Sequence, residues 1–543
     1  MLAIVHFTGT YLYANSPSVA HGKVVYNVKD FGATGNKTDN ALPAIQKAIE
    51  TAAVKGGTVY LPPGEYTSGT IHLRSHVNLY LEAGATLYAS ENPKDFADQK
   101  VKSKEALLFG EKLEDISIGG RGTIDGQQKY FWADDTLEST KWLHKMMQIK
   151  AGGSTRRSYP AGHPTQQDYP HLLWLGECNN VRITGLSWLH SPSWSFALFA
   201  CSRVVVDGIY IYTSLKDGVW ADGIDIVSSH DISISNCRIE TGDDCIAIVC
   251  GIPEWGPDYP TENITITNCR FSSASAGIKF TEGNSNLVQH VVISNCVIFD
   301  CNRGITFQIA TGGTVRDVVI SNLTIDLHRY DWFWAGDANA FNFRINRPSE
   351  WNNEPPKAGE PGPGMIKDVI FHDIIVHCQG TSKIEGHPER WLEGVTFENI
   401  KFFISTNPQS TFDTSTSAMI FRRARNLKLR NIEVIWDKPT YEKWESALEV
   451  EDVDGLELSG FTGNAAWPDK GIPAVFLKNV KNANIDNSVA PAGSNIFLKI
   501  AGANTQDVHL FGNDFHEAKV PYALDADVKP ESVTALDNFM PVK

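Results

Sequence analysis

The segment that decides the fold is residues 232–248, which reads ISISNCRIETGDDCIAI. Residues 232–235 alternate apolar and polar side chains before Asn236, and residues 246–248 place two isoleucines two positions apart. Alternation over so few residues predicts a short β-strand with one buried face. An asparagine at the end of such a strand predicts a turn. The segment therefore predicts two short strands separated by a turn and a short connection.

The same pattern recurs along the chain. The unit apolar-x-apolar-x-(Asn/Gly/Asp)-apolar occupies residues 181–186, 204–209, 232–237, 264–269, 291–296, 318–323, 369–374, 395–400, 427–432 and 456–461. A second ladder of short apolar strands lies at residues 173–175, 197–199, 224–226, 246–248, 278–280, 305–307, 341–343, 419–421 and 447–450. Neighbouring copies of the first unit are 23 to 32 residues apart, with one step of 51 residues. Repetition in one direction at this period predicts a parallel β-helix.

The predicted fold class is all-β, a single-stranded right-handed parallel β-helix. A sandwich or a propeller also has short strands, but a sandwich needs hairpin turns between antiparallel neighbours. We expect one domain over residues 23–543, with long loops at 127–170 and 330–365. An amphipathic helix over residues 38–49, capped by Thr38 or Asp39, is expected to cover the open end of the solenoid. Residues 1–22 are interpreted as a signal peptide or its remnant, although they lack a basic start.

The composition of the chain limits which classes of partner we expect. The net charge is −15, which argues against nucleic acid or an anionic membrane as a partner. No run of 18 apolar residues occurs, so we predict no transmembrane helix. Nine cysteines are present, and Cys237, Cys269 and Cys296 share one position of the repeat, which predicts a stack of buried thiols. No Cys/His spacing matches a metal site, and no metal or other cofactor is expected.

Two carboxylate clusters stand out within the repeats, at residues 221–226 and 241–248. If the apolar pairs of the two segments are aligned, Asp222 falls in register with Asp244, and Asp243 precedes it by one residue. Neighbouring coils of a parallel sheet are about 4.8 Å apart, so three carboxyl groups would be crowded into one patch. Crowding raises at least one pKa and separates a proton donor from an ionised base, which is what glycosidic hydrolysis requires.

Other motifs resemble a known family. FGATG (31–35), VYLPPGEY (59–66), GTIDG (122–126), SPSW (191–194), DGID (222–225) and GDDC (242–245) follow the order found in the polygalacturonase family of glycoside hydrolases (family 28), pectin-degrading β-helix enzymes. The resemblance spans roughly residues 25 to 460. It implies a pectin lyase-like solenoid and hydrolysis by single displacement with inversion. It also implies that Asp243 is the general acid, and that Asp222 and Asp244 hold and deprotonate water.

This sequence departs from the family pattern at two places. The family's His-Gly pair aligns with Ala276-Gly277, and its Arg-Ile-Lys, which grips a substrate carboxylate, aligns with residues 306–308, so that Gln308 replaces the lysine. Binding of standard polygalacturonan is therefore in question. Three other cations are candidates to bind a substrate carboxylate in place of the missing pair. They are Lys279, one coil beyond Ala247, Arg303 at the register of Asp244, and Arg344 at the register of Gln308. Each of these is also readable as a solvated cation.

Aromatic side chains cluster in the segments expected to flank the groove. Trp220 precedes the first Asp motif, and Trp255 lies in the loop 251–261. Sugars stack on exposed rings, and loops on one face of a solenoid commonly carry binding, so both are candidate substrate platforms. Asp225 is expected on the outer face of its strand, as a subsite residue or a solvated charge. The insertions are expected to close one end of the groove and to favour removal of single sugars.

Three functions remain open on this evidence. The leading one is an inverting, exo-acting hydrolase of a pectic or related polysaccharide or oligosaccharide, monomeric and secreted or periplasmic. The second is a β-helix polysaccharide lyase in which Lys279 or Arg344 abstracts a proton while carboxylates hold Ca²⁺. The third is a non-catalytic carbohydrate-binding β-helix.

Overall fold

The computed structural model describes residues 24–97, 100–131, 169–214, 220–281, 286–330, 338–351, 354–405, 415–437, 439 and 441–542. Within these ranges the chain winds as a right-handed parallel β-helix, and every pairing between named strands is parallel. Each coil contributes one strand in turn to three faces, here called faces 1, 2 and 3. The predicted fold class is confirmed.

The strands of face 1 are Ile71–His72, Ala106–Glu111, His171–Gly176, Phe196–Phe199, Ile224–Val227, Ile246–Val249, Ala276–Phe280, Arg303–Ile309, Asn339–Ile345 and Ser382–Glu385. Those of face 2 are Val25–Asn27, Gly57–Leu61, Val77–Leu81, Glu114–Gly120, Asn179–Thr184, Ser202–Asp207, His230–Ser235, Thr261–Thr267 and Leu287–Ser294. Face 3 has Gly64–Ser68, Ala85–Ala89, Thr123–Asp125, Ser187–Leu189, Tyr210–Tyr212, Arg238–Thr241, Arg270–Ser273 and Val297–Cys301.

Longer strands that turn a corner without a break form the later coils. Thr314–Leu327, Met365–Cys378 and Thr396–Ile404 join faces 2 and 3; Met419–Trp436 crosses all three; Leu448–Ser459 and Pro473–Asp486 join faces 1 and 2. Face 1 ends with the strands Ile496–Ala501 and Val520–Leu524, and face 2 ends with Gln506–Phe511 and Val533–Leu536. Two further strands have only two residues each, Leu392–Glu393 and Thr462–Gly463. Short 3-10 helices lie at Val28–Phe31, Pro93–Phe96, Lys102–Lys104, Gln128–Tyr130, Pro468–Lys470 and Pro530–Ser532.

The interior is a continuous apolar core built from the predicted ladders. Ile224 pairs with Ile246, which pairs with Ile278, and all three are fully buried. At the turn between faces 2 and 3, Asn236 and its equivalents in later coils take left-handed backbone conformations, with φ of 54–56° at Asn236, Asn268, Asn295 and Asn322. Asparagine tolerates this conformation better than other residues with a side chain, which explains its place in the repeat. All nine cysteines are free and buried, as the predicted thiol stack requires.

The N-terminal helix covers the first coil but begins later than predicted. It spans Leu42–Ala53, and the predicted stripe of Ala44, Ile45, Ala48 and Ile49 is buried. Neither Thr38 nor Asp39 caps it, because Asn40 Oδ1 accepts the Leu42 N–H and the Ala41 N–H donates to the Thr67 carbonyl. These contacts tie the preceding residues to the sheet, so the helix starts only beyond them.

The predicted loops are only partly covered by the described residues. The interpretation of 330–365 as a loop thrown out of one coil is wrong in part, because it contains the face 1 strand Asn339–Ile345 and the short helix Pro348–Trp351. Most of the predicted loop 127–170, and the segment 1–22 interpreted as a signal peptide, lie outside the described residues. None of the helices in the described ranges is long and apolar enough to cross a membrane.

Candidate active site

Three aspartates meet at the corner where face 3 leads into face 1. Asp222 lies two residues before the strand Ile224–Val227, while Asp243 and Asp244 follow Arg238–Thr241. Ile224 pairs with Ile246, as the sequence alignment predicts, so Asp222 stands beside Asp244 on the next coil. One carboxylate oxygen from each of the three residues lies within 4.8 Å of the others. All three side chains are nearly enclosed, with 5, 5 and 2% of the surface of Asp222, Asp243 and Asp244 exposed.

The backbone at this corner is held tightly. A Cβ on Gly223 would lie 2.3 Å from the Cys245 carbonyl oxygen, so only glycine lets the two coils approach. Thr213 Oγ1 accepts the Gly242 N–H at 2.9 Å and donates to the Ala221 carbonyl at 3.2 Å, linking the two corners. The Thr241 hydroxyl donates to the Asp243 carbonyl at 2.6 Å. These contacts fix both Asp segments where the chain bends out of its strand.

Asp244 is surrounded by hydrogen-bond donors. Its Oδ1 accepts the Ser275 hydroxyl at 2.7 Å and the Ala276 N–H at 3.1 Å. Its Oδ2 lies 2.9 Å from the Lys279 ammonium. Three donors, one of them charged, stabilise a carboxylate rather than a carboxylic acid. Asp244 is therefore the aspartate of this cluster whose surroundings suit a proton acceptor.

The other two acids are driven towards their neutral forms. The pKa of Asp243 is raised to about 8, mainly because burial disfavours its charged form and secondly because Asp244 is next to it. The pKa of Asp222 is raised well above its ordinary value, again chiefly by burial and then by Asp243. The corner thus contains Asp243, whose neutral form is favoured by burial, beside Asp244, whose oxygens accept two hydrogen bonds and face the Lys279 ammonium. A donor and an acceptor of protons stand side by side.

Asp225 lies on the outer face of its strand but is not solvated. It points away from the core, in register with Ala197 and Ala247, and it is only 1% exposed. Its interpretation as a solvated charge is therefore wrong. Burial, followed by Asp244 and Asp243, raises its pKa well above the ordinary value, and its Oδ2 has no hydrogen-bond partner.

The four candidate substrate contacts lie at increasing distances from the acids. Lys279 is one coil beyond and contacts Asp244 directly. Arg303 is two coils beyond, and its Nη1 reaches back to within 3.5 Å of Ser275 Oγ. Gln308 is buried, and Arg344, its partner on the next coil, is exposed. At about 4.8 Å per coil, Arg344 lies roughly 14 Å along the axis from the acids. Of these residues Lys279 contacts Asp244, and Arg303 reaches Ser275, which donates to the same carboxylate.

Trp255 is part of a wall rather than an exposed platform. It is 6% exposed, so the expectation of an open ring is wrong. Its indole packs edge-on against Trp174 and Trp194, with ring centroids 5.7 and 5.6 Å away, and its N–H donates to Ser103. Trp194 is in register with Asp222, one coil nearer the N-terminus. The aromatic wall, defined as His171, Trp174, Trp194, Phe199 and Trp255, therefore covers face 1 beside the acids. Trp220 is half-buried, two residues before Asp222.

Sequence reasoning missed Ser275, Thr213 and the aromatic wall. Ser275 was detectable, because aligning residues 273–280 with 241–248 places it one coil beyond Asp243. Thr213 and the wall depend on contacts between segments far apart in sequence, such as Trp255 with Ser103, for which the repeat carries no signal.

Among the described residues, the three aspartates are also the acidic group that could bind one metal ion together. A hard cation such as Ca²⁺ requires six to eight oxygen ligands. Here the Lys279 ammonium already stands against Asp244. The donor set fits proton transfer between carboxyl groups better than it fits a metal cage.

Comparisons with known proteins agree with this geometry. Residues 53–330 match the model of the glycosyl hydrolases family 28. A probable polygalacturonase of Vitis vinifera is 28% identical over 256 residues, which cover 44% of this chain and 47% of that protein. An exo-poly-alpha-D-galacturonosidase of Dickeya chrysanthemi is 25% identical over 276 residues, 45% of each protein. The chain thus spans about half the length of these relatives.

Solved structures share the fold. An exopolygalacturonase from Thermotoga maritima superposes with a TM-score of 0.58 at 20% identity, covering 77% of this chain and 93% of its own. A family 28 exopolygalacturonase from Yersinia enterocolitica has a TM-score of 0.57 at 18% identity, covering 80% and 78%. The family model covers more than half of the 543 residues. The chain belongs to the glycosyl hydrolases of family 28.

Proposed function

We propose that this protein is an inverting, exo-acting hydrolase of pectic or related oligosaccharides and polysaccharides. The observation that carries the proposal is the pairing of Asp243, whose pKa is raised to about 8, with Asp244, whose Oδ2 lies 2.9 Å from the Lys279 ammonium. A general acid must be protonated at working pH while its partner base is charged, and this corner supplies both.

In the proposed reaction Asp243 gives its proton to the glycosidic oxygen as the bond to the anomeric carbon breaks. Asp244 takes a proton from a water molecule, whose oxygen forms the new bond from the opposite side of the sugar. Asp222 orients that water by a hydrogen bond. One proton leaves Asp243 and one arrives at Asp244, so the cluster keeps its total charge through the step. Exchange with solvent restores the starting state.

The stereochemical outcome is the sharpest test of this scheme. The nearest oxygens of the three acids lie within 4.8 Å, closer than the roughly 6.5–9.5 Å usual for acid and base in inverting enzymes. A water bound between Asp222 and Asp244 is compatible with this spacing, because both residues would contact it. Proton NMR of the first products should show the anomer opposite to the bond cleaved. Initial retention of configuration would mean that one of the aspartates is a nucleophile.

The exo mode of action is supported by the aromatic wall. It buries face 1 on the N-terminal side of Asp222, so a chain entering the site meets a barrier one coil away. A barrier on one side of the acids leaves room for a terminal sugar and not for a continuous chain. Expected products are single sugars, released while the viscosity of a polymeric substrate stays nearly constant. A rapid fall in viscosity before sugars appear would indicate cutting within the chain.

The substrate class follows from the family and from its relatives, which are named polygalacturonases. A plant cell-wall polysaccharide lies outside the cell that degrades it, so the secreted or periplasmic location remains part of the proposal. A monomeric state also remains part of the proposal, because the partner that the site itself requires is a carbohydrate chain.

The two alternative functions inferred from the sequence, a lyase and a non-catalytic binding protein, lose support. A lyase would need an unprotonated Lys279 or Arg344 at the sugar, but Lys279 is bound to Asp244 and Arg344 lies roughly 14 Å away along the axis. A purely binding β-helix gains nothing from burying three carboxyl groups together, which disfavours their charged forms. An absorbance rise from unsaturated uronides during turnover would restore the lyase.

A further inference from the structure

A second cavity lies on face 3, in later coils than the three aspartates. It is open to solvent, has a volume of about 750 Å³, and begins two coils beyond Asp243 in the direction of the C-terminus. An outward column of side chains runs through it, in which Phe299, Asp326, His377 and Phe403 pair in that order on successive coils. Sites for small ligands usually measure about 300–1,000 Å³, so this cavity has the size of a binding site.

Two rings of the column form a stack. The centroids of His377 and Phe403 are 4.6 Å apart, and the planes of the two rings differ by 6°. Rings so close together cannot lie side by side in one plane, so they are stacked face to face along the axis of the solenoid. One face of His377 is covered by Phe403, and its other face is directed towards the coil that carries Asp326.

Phe299 stands on the opposite side of that coil. At about 4.8 Å per coil it is roughly 9.6 Å from His377, with the smaller Asp326 between them. Arg270, one coil before Phe299, covers that ring at 5.4 Å from its centroid, which leaves the side towards Asp326 for a ligand. Carbon atoms in contact are about 3.5–4.0 Å apart, so the notch, defined as Phe299, Asp326 and His377, has the width for one saturated ring.

The polar groups around the notch are acceptors of hydrogen bonds. Asp300, Asp326 and Asp437 are exposed, and within the described part of the chain their carboxylates make no hydrogen bond or ion pair. No lysine or arginine is among the residues that line the cavity, and Lys401 beside it is paired with Glu433 at 2.9 Å. Carboxylates accept hydrogen bonds from the hydroxyl groups of a sugar, and they repel a sugar that is itself acidic.

We propose that the notch on face 3 binds one sugar of a neutral carbohydrate chain, as a second binding site separate from the acids. The apolar C–H faces of the sugar pack between the rings of Phe299 and His377, and its hydroxyl rim meets the aspartates. The choice of a sugar rests on the carbohydrate substrate of the proposed function, to which the notch adds a contact with a neutral part. The acids of this cavity are exposed, unlike the buried pair Asp243 and Asp244, so the notch binds without cleaving.

The test is titration calorimetry with Asp243→Asn enzyme, so that the probes are not consumed. The probes are neutral tetrasaccharides of galactan, arabinan and xylan, with tetragalacturonate as the acidic counterpart. We expect at least one neutral probe to bind more tightly than tetragalacturonate. Adding Phe299→Ala or His377→Ala should weaken that binding about tenfold or more, because each change removes one wall of the notch.

Two further variants control for the shape of the site and for nonspecific stacking. His377→Phe keeps a flat ring and should bind the neutral probe as the parent does. Phe511→Ala removes an exposed ring from face 2, outside the cavity, and should also bind as the parent does. Melting temperatures of all the variants show that each one is folded.

The outcomes separate this inference from the proposed function. Failure of every neutral probe to bind, or equal binding by all the variants, would overturn the inference. Tighter binding of tetragalacturonate through the same two rings would overturn it too, as would a dimer that Phe299→Ala dissociates, since a second copy would then be the occupant. Hydrolysis of pectic fragments by the wild-type enzyme is measured separately. Its absence, with neutral binding intact, would overturn the proposed function and leave the second site in place.

Discussion

Face 1 carries two groups of buried and half-buried acids, and they are built in opposite ways. At the corner, Asp222, Asp225, Asp243 and Asp244 share Lys279. Several coils further on, the ion-pair ladder, defined as Glu385, Arg422, Glu449, Glu451 and Lys478, alternates the two signs across the sheet. Arg422 contacts three of its glutamates, and Lys478 contacts Glu451.

The pKa of Glu451 in the ladder and that of Asp243 at the corner move in opposite directions. Partial burial tends to raise the pKa of Glu451, but Lys478 and Arg422 outweigh it, and the net shift is downward. At the corner, burial and neighbouring acids raise the pKa of Asp243 to about 8. The same repeating backbone thus holds one group of acids around Lys279 and another in which every glutamate contacts a cation.

The largest expected effect is the loss of the general acid. Asp243→Asn should lower kcat by about 10²–10⁴, because the leaving oxygen is no longer protonated in the transition state. Glu451→Gln in the ladder is the matched substitution and should leave kcat unchanged. The measurement is steady-state kinetics with melting temperatures for both variants. Full activity per folded Asp243→Asn molecule would show that the two groups of acids do not differ in function.

The next effect concerns Lys279, the cation that contacts Asp244 in the part of the chain that the structure describes. Lys279→Met should lower kcat/KM by roughly tenfold to over a hundredfold, since Asp244 loses a buried charge-assisted contact. The acid limb of the pH–rate profile should also move to higher pH, because the ionised base is less stable. Lys478→Met removes the equivalent ladder cation and should change stability by about 1 kcal/mol or less and the kinetics not at all. Equal kinetic losses in both variants would contradict the comparison.

A smaller effect is expected from one hydroxyl. Ser275 donates to Asp244 at 2.7 Å, and Ser417 donates to Glu449 in the ladder at 3.1 Å. Ser275→Ala should lower kcat by about tenfold or less, which corresponds to the net value of one ordinary hydrogen bond, about 0.5–1.5 kcal/mol. Ser417→Ala should leave kcat at the wild-type level. A shift in the pH–rate profile of Ser275→Ala alone would identify Ser275 as a residue that positions the base.

The smallest effect is on stability against pH. A carboxyl group whose folded pKa lies above its unfolded value binds an extra proton in the folded state, so its contribution is present at low pH and is lost as pH rises towards the folded pKa. For Asp243 the window runs from its ordinary value of 3.8 to about 8. Wild-type melting temperature should therefore fall by about one to a few degrees more than that of Asp243→Asn between pH 5 and 8. Parallel curves for the two proteins would contradict the raised pKa.

Much of this molecule was predictable because the β-helix is periodic. The register that pairs Ile224 with Ile246 follows from the apolar ladder, and it places Asp222 beside Asp244 and Lys279 one coil beyond Ala247. The start of the helix was not predictable from its capping residues. The Ala41 N–H donates to the Thr67 carbonyl, a contact between residues far apart in sequence that no local pattern reveals.

The sequence by itself determined the solenoid, the register of its coils and the three aspartates at one corner, because each depends on contacts repeated at a fixed spacing. Only the tertiary structure decided which acid is charged, since that depends on Ser275 and Lys279 converging on Asp244. It also decided that Asp225 is buried and that Trp255 forms a wall. Those outcomes come from loops packing over face 1. Contacts between loops distant in sequence do not repeat at a fixed spacing, so the sequence pattern does not predict them.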